Sequence, residues 1–352
     1  MRTFRRGPDD DAFLLPPVPP AWRSADWPEV SVSIITYNQA HLVERAVRSV
    51  VGQRVDFSYE IVIGDDCSND GTQDVLRRLQ AEFPDRIVLI LHPRRRSELA
   101  PGRINSVTNL HACRGRYTAF LDGDDYWTDS DKLQRQFDLL EAHPHLSFCA
   151  HNSWRSDSTT VLSTAELTAA EPLLSRTDHP TGCYTHAYAV DHNGPLAQIS
   201  TVMYRTRIYG DLPDYYYGVA AADFLLFLLM SQRGHYYYDS VPRAVYYVHP
   251  ASVARSVFRT RPVLEQLIAD KNTYARHFPA IVGSRFAERR AHYNLLLIKA
   301  DLRRADYPAA GRELLRMTRL YPRYTRWLVA NFCSSRLGLG KLSPYVPREK
   351  PG

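Results

Sequence analysis

Residues Arg116 to Trp127 read RYTAFLDGDDYW, and no other stretch limits so strongly what the chain can fold into. Tyr117, Ala119, Phe120 and Leu121 have the apolar, β-favouring character of a buried strand, and the run stops abruptly at Asp122, Gly123, Asp124 and Asp125. Such a cluster cannot be core, because each carboxylate would be costly to bury unpaired. The aspartates must therefore stand at the strand's carboxyl end, the place where open α/β sheets bind ligands. Asp-Gly-Asp offers hard oxygens there to a Mg²⁺ or Mn²⁺ ion that also holds a diphosphate. The same letters also suit a plain polar turn, since Asp and Gly are common turn residues.

The preceding sequence makes this strand the fourth of a series. Val30 to Ile35 (VSVSII) reads as a strand that ends in Thr36, Tyr37, Asn38 and Gln39, and Leu42, Val43, Ala46, Val47, Val50 and Val51 then recur at helical spacing up to Gly52. Tyr59 to Ile63 (YEIVI) is the next strand, followed by a loop through Asp65 and Asp66 that is dense in capping residues, and by a helix from about Thr72 to Phe83. Arg86 to Leu91 (RIVLIL) reads as a third strand, and Asn105 to Cys113 as a helix ended by Gly115. Strands separated by helices predict a parallel α/β sheet with right-handed connections. Tyr37/Asn38, Asp65/Asp66 and Asp122/Asp124 should then converge on one rim, as at a switch point in strand order. The chain lacks the GxGxxG fingerprint and the GxxxxGKS phosphate loop, which disfavours a dinucleotide dehydrogenase or a P-loop ATPase. Phosphates would have to be held another way, and a metal on Asp-Gly-Asp would serve.

With 352 residues and 44% apolar content, there is enough chain for one large domain and a smaller one. No apolar run approaches the ~20 residues of a membrane span, the longest candidate being Phe224 to Met230. The opening MRTFRRGPDDD has no apolar segment of a secretory signal, so the expected location is cytoplasmic, or peripheral to a membrane. The five cysteines are far apart and read as reduced thiols rather than as a disulfide framework or a zinc site. A net charge of +6 suits an anionic ligand or membrane surface, but no nucleic-acid motif accompanies it.

Four strings in order resemble one family: VSIITYNQ at Val32 to Gln39, YEIVIGDDCSNDGT at Tyr59 to Thr72, ACRGRYTAFLDGDDYW at Ala112 to Trp127, and DKLQRQFDLLEAHP at Asp131 to Pro144. The family is that of the nucleotide-diphospho-sugar transferases of GT-A fold, specifically the family 2 glycosyltransferases. ISTVMYR at Ile199 to Arg205, AADFLLFLLMSQRG at Ala221 to Gly234 and VYYVH at Val245 to His249 resemble its acceptor half. The fold implied is an α/β GT-A nucleotide-sugar-binding domain, with a mostly parallel central sheet flanked by helices and an all-α C-terminal appendage. The expected organisation is a Pro-rich arm over residues 1–28, the GT-A domain over 29–258 and a helical region over 259–352.

The resemblance implies roles residue by residue. Thr36, Tyr37 and Asn38 match the loop on the nucleotide, Asp66 or Asp65 the carboxylate that accepts from the uracil ring, and Asn105, Asp122 and Gly123 further donor contacts, Asp122 near the ribose. For Asp65 and Asp66, capping of the following helix is the structural alternative. Asp124, with Asp122, matches the metal site of the family's Asp-X-Asp motif, whereas Asp125 is expected to cap the turn. His249 falls where many members place a histidine near the diphosphate or metal, although a lone His also serves structural ends. The arginine common two residues earlier in the family is Tyr247 here, and Arg94, Arg95 and Arg96 are a solvated run that could replace its charge. Asp223 matches the general base, with a helix N-cap as the alternative.

These roles imply a metal-dependent, inverting transfer from a UDP- or dTDP-sugar to an acceptor hydroxyl, or alternatively a thiol, on a glycan, lipid-linked intermediate, natural product or peptide. A sugar nucleotidyltransferase would open with a glycine-rich, arginine-bearing loop that Val32 to Gln39 lacks. A non-catalytic sugar-nucleotide-binding scaffold is the rival from another class, and the carboxylates Asp122, Asp124 and Asp223 argue against it. Beyond Thr260 the pattern is helical, and HYNLLLIKADLRRADYPAAGRELLRMTRLYP resembles one tetratricopeptide unit or an ordinary helical hairpin. A single unit leaves an apolar face uncovered, so these helices are expected to pack on the preceding domain, on a second subunit in a homo-oligomer or on a partner.

Overall fold

The computed structural model describes residues 27–93, 102–170, 172, 179–191, 197–206, 212–220, 222–248, 261–278, 284–322 and 325–326. The arm over 1–26, Arg94 to Arg96 and His249 lie outside the described residues. The first half alternates as the sequence implies: β1 (Val30–Thr36), α1 (Val43–Val51), β2 (Tyr59–Asp65), α2 (Thr72–Glu82), β3 (Ile87–Leu91), α3 (Arg103–Ala112) and β4 (Tyr117–Asp122). Apolar periodicity drives α1 and its packing on β1. Val43, Ala46, Val47 and Val50 form the buried stripe of α1, and Val30, Val32 and Ile34 point to the same layer from β1.

β1 lies between β2 and β4 and is parallel to both, with β3 beyond β2. The chain thus moves outward from β1 to β3 and returns to the other side of β1, so the strand order reverses between β1 and β4. The sheet continues past β4 in antiparallel fashion through β8 (Met203–Arg205) to β6 (Leu146–Ser156). β9 (His235–Tyr247) pairs parallel with β6, and β5 (Tyr126–Trp127) and β7 (Gly182–Tyr184) both add antiparallel to β9. The whole is a mixed nine-stranded sheet that is all-parallel from β3 to β4, with β6 and β9 as a second parallel pair.

Helices cover both faces. α1, α2 and α4 (Lys132–Ala142) bury their stripes against one, and α3, α6 (His186–Asp191) and α7 (Ala222–Ser231) against the other. The short α5 (Thr164–Ala169) is capped by Ser163 and Glu166 in a capping box. Three further helices follow, α8 (Arg261–His277), α9 (Ser284–Arg303) and α10 (Tyr307–Leu320). Tyr274 and Phe278 join the same core cluster as α7, and the Lys271 ammonium lies 4.3 Å from the Phe224 ring centroid. The first helix after the sheet is therefore built into the α7 core, whereas α9 and α10 pack on each other through Ile298, Ala310 and Met317.

Candidate active site

Strand register sets the rim. Ile35 stands beside Asp122 on β4, and Thr36 stands beside Asp65 on β2, so the ends of three neighbouring parallel strands present their polar residues in one row. The loops beyond are tied together. Asp66 donates its backbone N–H to the Thr36 carbonyl at 3.0 Å, and the Asn38 N–H donates to Ser68 Oγ at 2.8 Å. Asn69 returns a bond to Asn38 Oδ1 at 3.0 Å, and the Gln39 N–H donates to Thr72 Oγ1 at 2.8 Å. Asn38 sits at a φ of 51°, a left-handed conformation that Asn tolerates better than most residues.

Two of the expected donor residues are occupied in making this rim. The Asp65 carboxylate is fully buried and accepts from the Ser68 N–H at 2.9 Å, from the Ser68 hydroxyl and from Gln73 Nε2 at 2.7 Å. Asn105 is buried on α3 and donates its amide to the Gly64 carbonyl at 2.8 Å and to the Thr36 carbonyl at 3.4 Å. Gly123 is required by close approach: a Cβ there would lie 2.5 Å from Gln39 Oε1 and 2.9 Å from Thr36 Cβ. Any side chain between the aspartates would push the β1 loop off the β4 loop.

Asp122, Asp124 and Asp125 bring one carboxylate oxygen each to within 4.8 Å of one another. Their roles differ. Asp125 is buried and accepts from Ser200 Oγ at 2.6 Å, from Gln198 Nε2 at 2.6 Å and from the Tyr247 N–H at 2.9 Å. Its N–H closes the turn onto the Asp122 carbonyl at 3.0 Å, yet its side chain locks the turn to β9 rather than merely capping it. Burial, then the neighbouring Asp124 charge, pushes the Asp125 carboxyl up to about 8. Asp122 is raised well above the carboxylate range by the same crowding and by Asp125, Asp124 and Asp223. These groups repel one another and would accept a cation. Because Asp125 is engaged by three protein donors, the pair suited to a hard divalent ion is the half-buried Asp122 and Asp124.

Arg45, which carried no signal in the sequence, braces this loop. It donates from Nη2 to the Asp124 carbonyl at 2.7 Å and from Nη1 to the Ser158 carbonyl at 3.0 Å. Its guanidinium lies 5.0 Å from the Tyr126 ring centroid and 4.8 Å from that of Tyr247, in the range of cation–π attraction. Tyr247, standing where an arginine is usual in the family, thus helps to seat an arginine that arrives from α1.

Asp223 occupies the first turn of α7 and is open to solvent. It lies close enough to raise the pKa of Asp122, so the structure brings it to the acidic rim. Its own carboxyl is raised by the protein packed around it, opposed by the Arg103 guanidinium. The approach to Asp223 is held from two directions. Arg103, buried on α3, donates to the Val219 carbonyl at 2.6 Å and to the Ala220 carbonyl at 3.2 Å. From α8, Asp270 accepts the Ala220 N–H at 2.8 Å, and Gln266 donates to the Gly218 carbonyl at 2.9 Å. Neither Arg103 nor Asp270 is marked in the sequence, because each acts across a long stretch of chain.

The model of the family described as glycosyl transferase family 2 matches residues 31–211, just over half of the chain. An uncharacterized protein of Mycobacterium tuberculosis is 34% identical over 122 residues, 35% of this chain and 34% of its own length. The Escherichia coli UDP-Glc:alpha-D-GlcNAc-diphosphoundecaprenol beta-1,3-glucosyltransferase WfaP is 34% identical over 112 residues, 32% of this chain and 41% of its own. The chain therefore matches less than half the length of either relative. Among solved structures, TarS 1-349 of S. aureus in complex with UDP-GlcNAc superposes with a TM-score of 0.56 at 16% identity, covering 88% of this chain and 87% of that one. The Pyrobaculum calidifontis mannosyltransferase PcManGT, in complex with GDP-Man and Mn²⁺, gives 0.52 at 18%, covering 90% and 82%. With its reversed strand order, its acidic rim and this family match, the chain belongs to glycosyl transferase family 2 and has the GT-A fold.

Proposed function

We propose that the protein transfers a sugar, with inversion, from a uridine or thymidine diphosphate sugar to an acceptor hydroxyl, in a reaction that needs Mg²⁺ or Mn²⁺. The observation that carries this reading is the row of Thr36, Asp65 and Asp122 at one rim, with the Asp122, Asp124 and Asp125 oxygens gathered within 4.8 Å. Solved relatives of the fold hold UDP-GlcNAc, or GDP-Man with Mn²⁺, which supports a nucleotide sugar and a divalent ion here.

In this reading Tyr37 and Asn38 flank the base, and Asp66 accepts from its ring N–H, as the family resemblance implies. A divalent ion held by Asp122 and Asp124 would neutralise the charge that gathers on the leaving diphosphate. Asp223 takes the proton of the acceptor hydroxyl as its oxygen bonds to the anomeric carbon and the bond to the diphosphate breaks. One base on one face suffices for inversion. α8 works as part of this catalytic unit through Asp270, although it lies in the C-terminal 259–352 region. For the acceptor, the name of WfaP points to a lipid-linked saccharide, and such a molecule is the first to try.

The test is nucleoside diphosphate release from a panel of UDP-, dTDP- and GDP-sugars with and without Mn²⁺. Release from a UDP- or dTDP-sugar that stops on adding chelator is the expected result. Equal rates in chelator would remove the ion from the reaction, and a preference for GDP-sugars would overturn the pyrimidine assignment.

A further inference from the structure

α10 begins cleanly, with the Asp306 carboxylate accepting from the Ala309 N–H at 3.0 Å and proline in its first turn. Ala309, Ala310 and Met317 are its buried stripe. The rest of its surface is not an ordinary polar face. Tyr307 is 68% exposed, Leu314 43% and Leu315 53%, and positions i, i+7 and i+8 fall on one flank of a helix. Arg312, Arg316 and Arg319 are exposed at i, i+4 and i+7 on the adjoining flank. Leu302, 49% exposed, and the exposed Arg303 and Arg304 extend the same chemistry at the end of α9.

The acids of this segment do not neutralise the arginines. Asp301 is buried and paired with Arg261 of α8, Glu313 is half-buried, and Asp306 is spent on the helix cap. None of the five arginines makes an ion pair among the described residues. Exposed leucines beside unpaired arginines on one short helix meet the requirements of an element lying in a lipid interface: apolar side chains reach the acyl boundary while cations sit at the headgroups. A second copy of the same surface would set these arginines against one another, so charge complementarity favours an anionic partner over self-association.

We propose that the α9–α10 face docks the enzyme on an anionic phospholipid surface, with Tyr307, Leu314 and Leu315 entering the interface and Arg312, Arg316 and Arg319 on the headgroup phosphates. No helix among the described residues is long and apolar enough to cross a membrane, so this attachment is reversible and salt-sensitive.

The experiment is co-sedimentation of the full chain with phosphatidylcholine vesicles and with vesicles of mixed phosphatidylcholine and phosphatidylglycerol. The protein should pellet with the mixed vesicles at low salt, stay in solution with pure phosphatidylcholine, and be released as salt rises. Combining Arg312→Gln, Arg316→Gln and Arg319→Gln should weaken binding on the order of a hundredfold. The pair Leu314→Ser and Leu315→Ser should weaken it as well, and donor hydrolysis in solution should be unchanged in both variants. Equal pelleting with neutral vesicles, or no loss in the arginine variant, would overturn the proposal. So would a dimer in light scattering that the leucine variant dissolves while the native protein ignores phosphatidylglycerol, since the face would then join two copies.

Discussion

Asp124 and Asp223, the two carboxylates assigned to chemistry, are held by opposite means. The Asp124 rim is built by parallel strands in register, Ile35 beside Asp122 and Thr36 beside Asp65, and by turn bonds between loops about a helix apart in sequence. The approach to Asp223 is held by Arg103, 116 residues before Val219, and by Asp270, 50 residues after Ala220. One region is specified by repeated local βα pattern. The other exists only once the whole chain has folded, and it is the part where a distant substitution can reach the chemistry.

The largest effect should come from separating the members of the acidic cluster. Asp124→Ala should lower turnover on the order of a thousandfold, because charge stabilisation at a leaving group is worth several kcal/mol, while the melting temperature stays put. Asp125→Ala should instead lower stability by roughly 2–3 kcal/mol, since it strands the Ser200, Gln198 and Tyr247 donors. If the melting curves of the two variants coincide, the division of labour inside the cluster is wrong.

Next in size is the clamp on the second region. Arg103→Met and Asp270→Asn should each reduce kcat by about 10²-fold through a misplaced base and leave the uridine diphosphate Kd unchanged, and Arg103→Met should also move the acidic limb of the kcat–pH profile to higher pH, because the guanidinium holds the Asp223 carboxyl down. A parallel loss of nucleotide affinity would show that the two regions are not separable. The smallest change is expected at the nucleotide base: Asp66→Ala should weaken uridine diphosphate by roughly 1–3 kcal/mol in calorimetry, with the fold intact. Unaltered affinity would return the pyrimidine contact to another residue.

The same contrast explains how far sequence reasoning reached. β1 to β4 and their helices are legible because period-2 and helical spacing are local, and each strand announces its end with polar residues. β6 and β9 are not. They carry buried His151, Asn152 and Ser153 and a proline at a register shift, Pro242 opposite Asn152, and polar or bulged strands show no clean alternation. Asp122, Asp124 and Asp223 stand out as carboxylates beside apolar runs. By contrast, Arg45 and Arg103 look like any surface arginine until the fold places aromatic rings over them. The lasting engagement of Asp65 with Ser68 and Gln73 was likewise hidden, because a loop of capping residues does not reveal which carboxylate caps and which faces a ligand.

If binding and proton removal are separate tasks of the two regions, Asp223→Asn separates them most directly. It keeps shape and removes basicity, so donor affinity measured by calorimetry should match the native enzyme while sugar transfer falls by roughly 10²–10⁴-fold. Donor binding lost together with transfer, or transfer at the native rate, would contradict that separation.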